Sequence, residues 1–376
     1  MKILYFGNPL SIHDVKWMSY FSPRHECALV LRADHARSAS PQQLAEFSHS
    51  HSIPILAELE DFSLARLWRT WQQCQKLSRL IGEFQPDVIH ILFAEPNALW
   101  SLCRSGKQRT RWILTTRGTD VLVTIPRFYR RRDLLGRIVH WLYCKALQRY
   151  DWVAGTSKAQ LAVVREQLDF RGHCAVVRTG VDIDWVRQAR PHLLPEELRR
   201  RPFFFFPRLM SPLYDQELSM EVIAALPDEL RRNYVMVFVD CDQGDPAYVA
   251  GIRARMGRMP DVQFHFLERQ APLAIWELYK AAELTVMTPR SDGTPVSAME
   301  SLICGTPVVA PPLLYDAELA QELLVARSWL PEDFVDQIKR GLGRRVKLEP
   351  DSECYRLCDR HFQMNLLENI YLTNPG

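Results

Sequence analysis

The sequence predicts an α/β protein made of two doubly wound, parallel-sheet domains in tandem. At 376 residues the chain exceeds one ordinary hydrophobic core. Short apolar runs alternate with amphipathic stretches several helical turns long, the pattern of parallel strands joined by crossover helices. That alternation pauses at Pro191–Pro202, a stretch of prolines and charges that reads as a linker near residue 195, and then restarts.

Taken in order, Lys2–Gly7 reads as the first strand and Cys27–Leu31 as the next apolar run. Ser63–Phe84 is a long amphipathic helix that stops at Gln85–Pro86. Asp87–Phe93 and Trp112–Thr116 are buried strands, and Arg132–Tyr150 is helical. Asp151–Thr156 is a strand, Ser157 caps the helix Lys158–Leu168, and Cys174–Arg178 is a strand before Thr179–Gly180. Beyond the linker, Phe203–Phe206, Tyr234–Val239 and Val262–Phe266 are strands, and Leu273–Ala282 is a helix. A last helix runs from about Cys354 to Tyr371.

The most informative stretch is Ser291–Glu300, followed by Cys304–Val309. Ala282–Pro289 reads as a strand ending at a proline, and Asp292–Gly293 is turn chemistry. Thr294 is placed as N-cap and Pro295 as first helical residue, with Gly305 ending the helix and Thr306–Ala310 a strand. Asp292 then stands over a helix mouth and Glu300 projects from the helix's first turns. Between them, the amides of Gly293, Thr294 and Val296, beside Pro295, would offer phosphate the positive end of a helix dipole. Diphosphate, ribose and sugar could use amides and carboxylates together.

This segment resembles the nucleotide-sugar site of retaining glycosyltransferases with the GT-B fold, the family 4-like group also called glycosyl transferases group 1. The family carries Glu-x7-Glu, then a Gly-Thr-Pro-Val-Val run; here Asp292 replaces the first Glu and Glu300 matches the second. The resemblance implies two Rossmann-like domains facing a cleft: residues 1–195 for the acceptor, 196–350 for the nucleotide sugar, and a helix in 351–376 packing back across the junction. It also implies that Glu300 holds the ribose and that Asp292 binds donor-sugar hydroxyls.

Further stretches carry the resemblance in order. Arg208, after the strand Phe203–Phe206, matches the family's diphosphate-clamping Arg, whereas the Lys expected about five residues on falls near Leu213 and is absent. Thr116–Asp120 resembles Thr-x-His-Gly-x-Asp, with Arg117 in the place of the His. Arginine is no base near neutral pH but can bind a hydroxyl, phosphate or carboxylate, so Arg117 joins Asp292 and Glu300 as a candidate catalytic residue. Asp120 either faces the acceptor or caps the following turn. Gly7 and Asn8 stand where the family keeps a Gly-rich loop, and His13 with Asp14, read as loop residues, either line the acceptor side or form a simple hydrogen-bonded pair. Arg178–Asp182 resembles the family's Asn-Gly-Val-Asp element.

Composition narrows the partners. Net charge is +3, but residues 1–195 hold 27 Lys and Arg against 17 Asp and Glu, while residues 196–376 hold 20 against 27. The basic first half, with Arg127–Arg132 leading into the apolar Leu134–Tyr143, suits either an anionic membrane surface or an ordinary amphipathic helix. No apolar run is long enough to span a membrane, and the N-terminus reads as a strand rather than a signal peptide. Nine cysteines without a CxxC pair suit reduced thiols in a cytoplasmic protein. Cys354, Cys358 and His361 share a helical face but lack a fourth metal ligand, and Asp240–Cys241–Asp242 reads as turn chemistry. No metal or other cofactor is expected, and no nucleic-acid module is visible.

The expected function is transfer of a sugar, with retention and without metal, from a nucleotide-diphosphate sugar to a glycan or lipid-linked glycan in polysaccharide or lipopolysaccharide biosynthesis. The alternative is a catalytically degenerate GT-B protein that binds nucleotide sugar or scaffolds a glycan-assembly complex. An epimerase or phosphorylase on the same fold is a further alternative, and the missing pyridoxal-type lysine motif disfavours the phosphorylase.

Overall fold

The computed structural model describes residues 1–105, 109–131, 133–189, 194–239, 245–267, 272–292 and 294–373. The chain divides into two compact units, Met1–Thr179 with Met364–Gly376, and Gly180–Gln363. The first unit's sheet holds β1 (Lys2–Phe6), β2 (Glu26–Arg32), β3 (Ile55–Leu59), β4 (Val88–Ile91), β5 (Arg111–Thr116), β6 (Trp152–Gly155) and β7 (His173–Val176). They lie in the order β3-β2-β1-β4-β5-β6-β7, every pair parallel. The second sheet holds β8 (Phe203–Phe206), β9 (Val235–Val239), β10 (Gln263–Leu267), β11 (Leu284–Val286), β12 (Val308–Ala310) and β13 (Leu324–Val325), ordered β10-β9-β8-β11-β12-β13 and again all parallel.

Why these runs form central strands follows from their two buried faces. Phe203 and Phe205 enter one core with Val235 and Val237, while Phe204 and Phe206 enter the opposite one with Met236 and Phe238. The same alternation splits Leu4 and Phe6 from Ile3 and Tyr5 across the first sheet. Each such side chain contributes about 1.5–3 kcal/mol by leaving water. In the first unit His90 is fully buried, its ring nitrogens bonded to Tyr371 Oη (2.6 Å) and Thr115 Oγ1 (2.7 Å). Burial therefore holds it neutral, well below the usual imidazole range, with Arg117 acting in the same sense.

The structure differs from several expectations. The unit boundary falls at Gly180 rather than near 195, because Val181, Val186, Ala189, Leu194 and Leu198 pack into the second unit's core. The single helix expected from about Cys354 to Tyr371 is two, Glu353–Cys358 and Arg360–Leu372; the first belongs to the second unit, and residues from Met364 onward belong to the first. His13 and Asp14 lie on a helix, Ile12–Phe21, capped by Ser11, and not in a loop. The all-reduced reading is corrected for one pair: Cys74 and Cys103 form a disulfide (Cα–Cα 5.6 Å), brought together where the helix Leu67–Phe84 meets the 3-10 segment Asn97–Cys103. Cys354 and Cys358 are buried thiols in the second core. Among the described residues no helix is long and apolar enough to cross a membrane, and no three His, Cys, Asp or Glu gather around a metal position. Asp240–Cys241–Asp242 lies outside the described residues.

Gly180 has a conformational reason to be glycine. Its φ is +66°, and an added Cβ would sit 2.4 Å from Arg360 Cα. Gly180→Ala is expected to destabilise the protein by about 3 kcal/mol. Gly251→Ala, in the helix Pro246–Met256 where a Cβ meets nothing within 4 Å, should stabilise by about 0.5–1 kcal/mol. Urea unfolding midpoints of the two variants check both signs.

Candidate functional site

In the second unit, strand order reverses between β8 and β11, and the two loops that follow them meet at that point. Open parallel sheets bind ligands at such places. Arg208 leaves β8 after Pro207, and Asp292 leaves β11 six residues past Val286. Their side chains form an ion pair, with only 17% and 14% of each exposed. Arg208 Nη1 also donates to Ser297 Oγ (3.0 Å), and its guanidinium lies 4.5 Å from the centre of the Tyr214 ring. Its Nε is buried without a hydrogen-bond partner among the described residues. The Arg208 peptide is fixed in turn by Gln216, whose Nε2 donates to the carbonyls of Arg208 and Leu209 (3.0 Å each).

The two loops are stitched together by buried polar contacts. Thr288 Oγ1 donates to the carbonyls of Tyr214 and Asp215 (3.0 Å each) and lies 2.8 Å from Ser219 Oγ. Asp215 caps the helix Gln216–Ala225 and pairs with Arg290, whose guanidinium stacks 4.5 Å from the Trp329 ring centre.

The helix after this loop runs from Val296 to Ile303, with Pro295 as N-cap and no side-chain cap. It starts one residue later than expected, so Thr294 is not its cap and Pro295 is not its first residue. A proline has no N–H to lose at a helix entry, and the amides of Val296 and Ser297 are left for another acceptor. Gly293 lies outside the described residues. Glu300 is half-buried in the second turn. Its charge reaches Tyr279 and Cys304: burial, then Glu300, raises both, the Cys304 thiol to about 12. Ser297, which accepts from Arg208, acts on Tyr279 in the opposite sense to Glu300 and pulls its phenol back down. The buried Tyr315 hydroxyl, without a partner among the described residues, feels Arg208 too. Ser297, Tyr214, Tyr279 and Tyr315 were not found from sequence. Only the serine's place one residue inside the motif helix was a usable signal.

The first unit gathers its own cluster beyond β1, β4 and β5. Gly7 is packed so closely that a Cβ would stand 3.0 Å from Leu92 Cδ1 and 3.2 Å from Asp14 Oδ2. Asn8 N–H donates to Asp14 Oδ2 (2.8 Å). Arg117 donates to Asp14 Oδ1 (3.1 Å), Leu92 O (3.1 Å) and Thr179 Oγ1 (3.2 Å), and lies 4.6 Å from the Trp17 ring centre. Three of its five N–H groups are thus engaged. Asp120 is fully buried and accepts from the amides of Ala94, Arg117, Gly118 and Val121. That arrangement organises the turn and leaves no carboxylate surface for an acceptor. His13 is exposed on the first helical turn.

Burial pushes the Asp14 carboxyl up from its usual range, and Arg117 pulls it back. Arg117→Met removes that compensation and should cost about 3–5 kcal/mol at pH 7. With the folded-state value raised above the unfolded one, Asp14's favourable contribution is complete at low pH and lost as pH rises through the folded value. The variant's deficit should therefore shrink as pH falls from 7 toward about 4, the ordinary carboxylate range. Urea unfolding of both proteins across that range reads the difference; a deficit that grows on acidification contradicts it.

Comparison with known proteins places these two clusters in context. Residues 2–149 match the glycosyl transferase 4-like family, and residues 195–340 match glycosyl transferases group 1. A D-inositol 3-phosphate glycosyltransferase of Streptomyces avermitilis is 31% identical over 172 residues, 42% of this chain and 36% of that protein. The match thus spans about a third of that relative's length. Among solved structures, Anabaena Alr3699/HepE in complex with UDP and glucose superposes with a TM-score of 0.68 at 16% identity, covering 99% of this chain and 100% of that one. The lipopolysaccharide outer core galactosyltransferase WaaB in its apo form gives 0.65 at 13% identity, covering 99% of each chain. At these identities the structures speak for the fold, GT-B, and the two family matches speak for descent. On these two matches, over residues 2–149 and 195–340, this chain belongs to the family 4-like, group 1 glycosyltransferases.

Proposed function

We propose that this protein transfers a sugar, with retention, from a nucleoside diphosphate sugar to a hydroxyl of a glycan or lipid-linked glycan, in the assembly of cell-surface polysaccharide or lipopolysaccharide. The observation that carries this reading is the meeting of Arg208, Asp292 and an uncapped helix start at the reversal of the second sheet. Diphosphate would take the Val296 and Ser297 amides and draw Arg208 away from Asp292. Asp292, released, would accept hydroxyls of the donor sugar, and Glu300 would accept those of the ribose. As the anomeric C–O bond breaks, its electrons pass to the diphosphate, where Arg208 and the helix mouth meet the growing charge. The acceptor oxygen then bonds to the anomeric carbon, and its proton goes to the departing phosphate. Asp292 is then occupied by hydroxyls of the donor sugar, and the proton leaves with the phosphate, so preorganised charge and not a protein base supplies most of the rate. No step in this scheme calls on a metal.

UDP is the first nucleotide to try, because the Anabaena neighbour is solved with UDP and glucose. A second reading is a degenerate binder or scaffold, favoured by the bonding of Arg117 to Asp14 and Thr179, which occupies a group otherwise available to substrate. For placement in the cell, the helix Leu134–Leu147 exposes Leu134, Leu135, Ile138 and Trp141 beside Arg137 and Lys145. We propose that it rests against the anionic inner face of the membrane from the cytoplasm.

Arg208→Ala and Asp292→Ala should each lower turnover of a UDP-sugar by about 10²–10³-fold while leaving the fold intact. Product examined by proton NMR should keep the donor's anomeric configuration, and chelator should leave the rate unchanged. Inverted product sinks the retention claim. UDP binding with no transfer to any acceptor favours the scaffold.

A further inference from the structure

Past the carboxyl ends of β2 and β3, at one edge of the first unit's sheet, lies a cavity of about 350 Å³. That is room for a monosaccharide-sized group. Arg37, Arg66 and Arg69 line it with Asp34, Glu60 and Asp61. Arg32 already pairs with Asp34 (2.6 Å) and Asp61 (3.1 Å), and Glu60 stands 3.9 Å from Arg69. Arg37 and Arg66 have no ion-pair partner among the described residues. With Arg32 counted, four guanidiniums stand against three carboxylates, a net of one positive charge. Arg66 also flanks the first turn of the helix Leu67–Phe84, whose start no side chain caps, so the helix dipole adds to the same field. Farther along that helix Gln73 lines the cavity, and its buried Oε1 accepts no hydrogen bond from the described residues. An acceptor left that way calls for a hydroxyl donor.

Immediately beside these arginines the same helix turns apolar side chains outward. Leu67, Trp68 and Trp71 are 65%, 67% and 50% exposed, and the two indoles stack at 4.9 Å. Cations for a phosphate, polar groups for hydroxyls and an indole platform stand side by side on one helix start. We propose that this cavity binds the phosphorylated polar head of an amphiphilic glycosyl acceptor, with its apolar chain lying on Trp68 and Trp71. That the ligand is the acceptor rests on the glycosyl-transfer reading. That the cavity takes a phosphorylated amphiphile does not.

The test titrates the whole chain calorimetrically with two probes, glucose 1-phosphate in buffer and decyl phosphate in neutral maltoside micelles. Decyl phosphate should bind at least about tenfold more tightly, a gap of about 1.4 kcal/mol. Arg66→Ala/Arg69→Ala, both exposed and expected to fold, should weaken both probes about tenfold. Trp68→Ser/Trp71→Ser should weaken decyl phosphate alone. Absence of binding by either probe, or binding indifferent to the arginine pair, overturns the site. Equal binding of both probes without effect of the tryptophans overturns the amphiphile. UDP titrated into the same proteins separates the two readings. Decyl phosphate binding without UDP binding removes the donor reading and leaves this cavity standing, whereas UDP binding alone does the reverse.

Discussion

In a parallel sheet every strand delivers its following loop to the same rim, and where strand order reverses, the crossover helices leave on opposite faces and two loops face each other across a gap. The second unit depends on that constraint. Because β8 and β11 are neighbours although 80 residues of chain separate their starts, the arginine after one strand and the carboxylate after the other come within ion-pairing reach. Phe203–Phe206 is the reason the arrangement is stiff. Its side chains fill both cores, so Arg208 projects from a strand that cannot slide without exposing aromatic surface. The Thr288 hydroxyl then ties the β11 loop to the β8 loop through Tyr214 and Asp215.

Two arginine–carboxylate pairs in this chain show opposite uses of one interaction. Arg117 and Asp14 are closed in by Trp17, Thr179 and the Leu92 carbonyl, and there the pair's job is to cancel a desolvation cost. Arg208 and Asp292 are nearly as sheltered, yet stand beside unsatisfied donors, namely the Arg208 Nε and the first amides of an uncapped helix. A pair in such company can be exchanged for an anionic ligand, because the ligand supplies both the charge and the acceptors that the protein lacks. The difference lies in the surrounding hydrogen-bond inventory and not in the residue types.

How much of this was legible in the sequence follows from the range of each interaction. Phe203–Phe206 and Trp112–Thr116 were readable because a strand buried on both faces is a dense apolar run. β3 and β13 were missed, the first because Ile55–Leu59 is a short edge strand interrupted by the charged Glu58, the second because Leu324–Val325 is two residues long. Arg208, Asp292 and Glu300 could be named because their spacing to strand ends is local. The partners that give them meaning could not: Ser297 meets Arg208 across 89 residues, and Cys74 meets Cys103 with no motif to announce it. Likewise local sequence leaves Asp120 open between facing an acceptor and capping its turn, and only the fold brings in the four backbone amides that it accepts from.

The central claim is that the mouth of the helix Val296–Ile303, with Glu300 inside it, is a nucleoside diphosphate site. Calorimetric titration of UDP into the wild-type chain and into Glu300→Ala tests it most directly. The account predicts saturable binding of one UDP per chain, weakened at least about tenfold by the substitution because a charge-assisted ribose contact is worth about 1.5–3 kcal/mol. Binding of equal strength in the two proteins would contradict it.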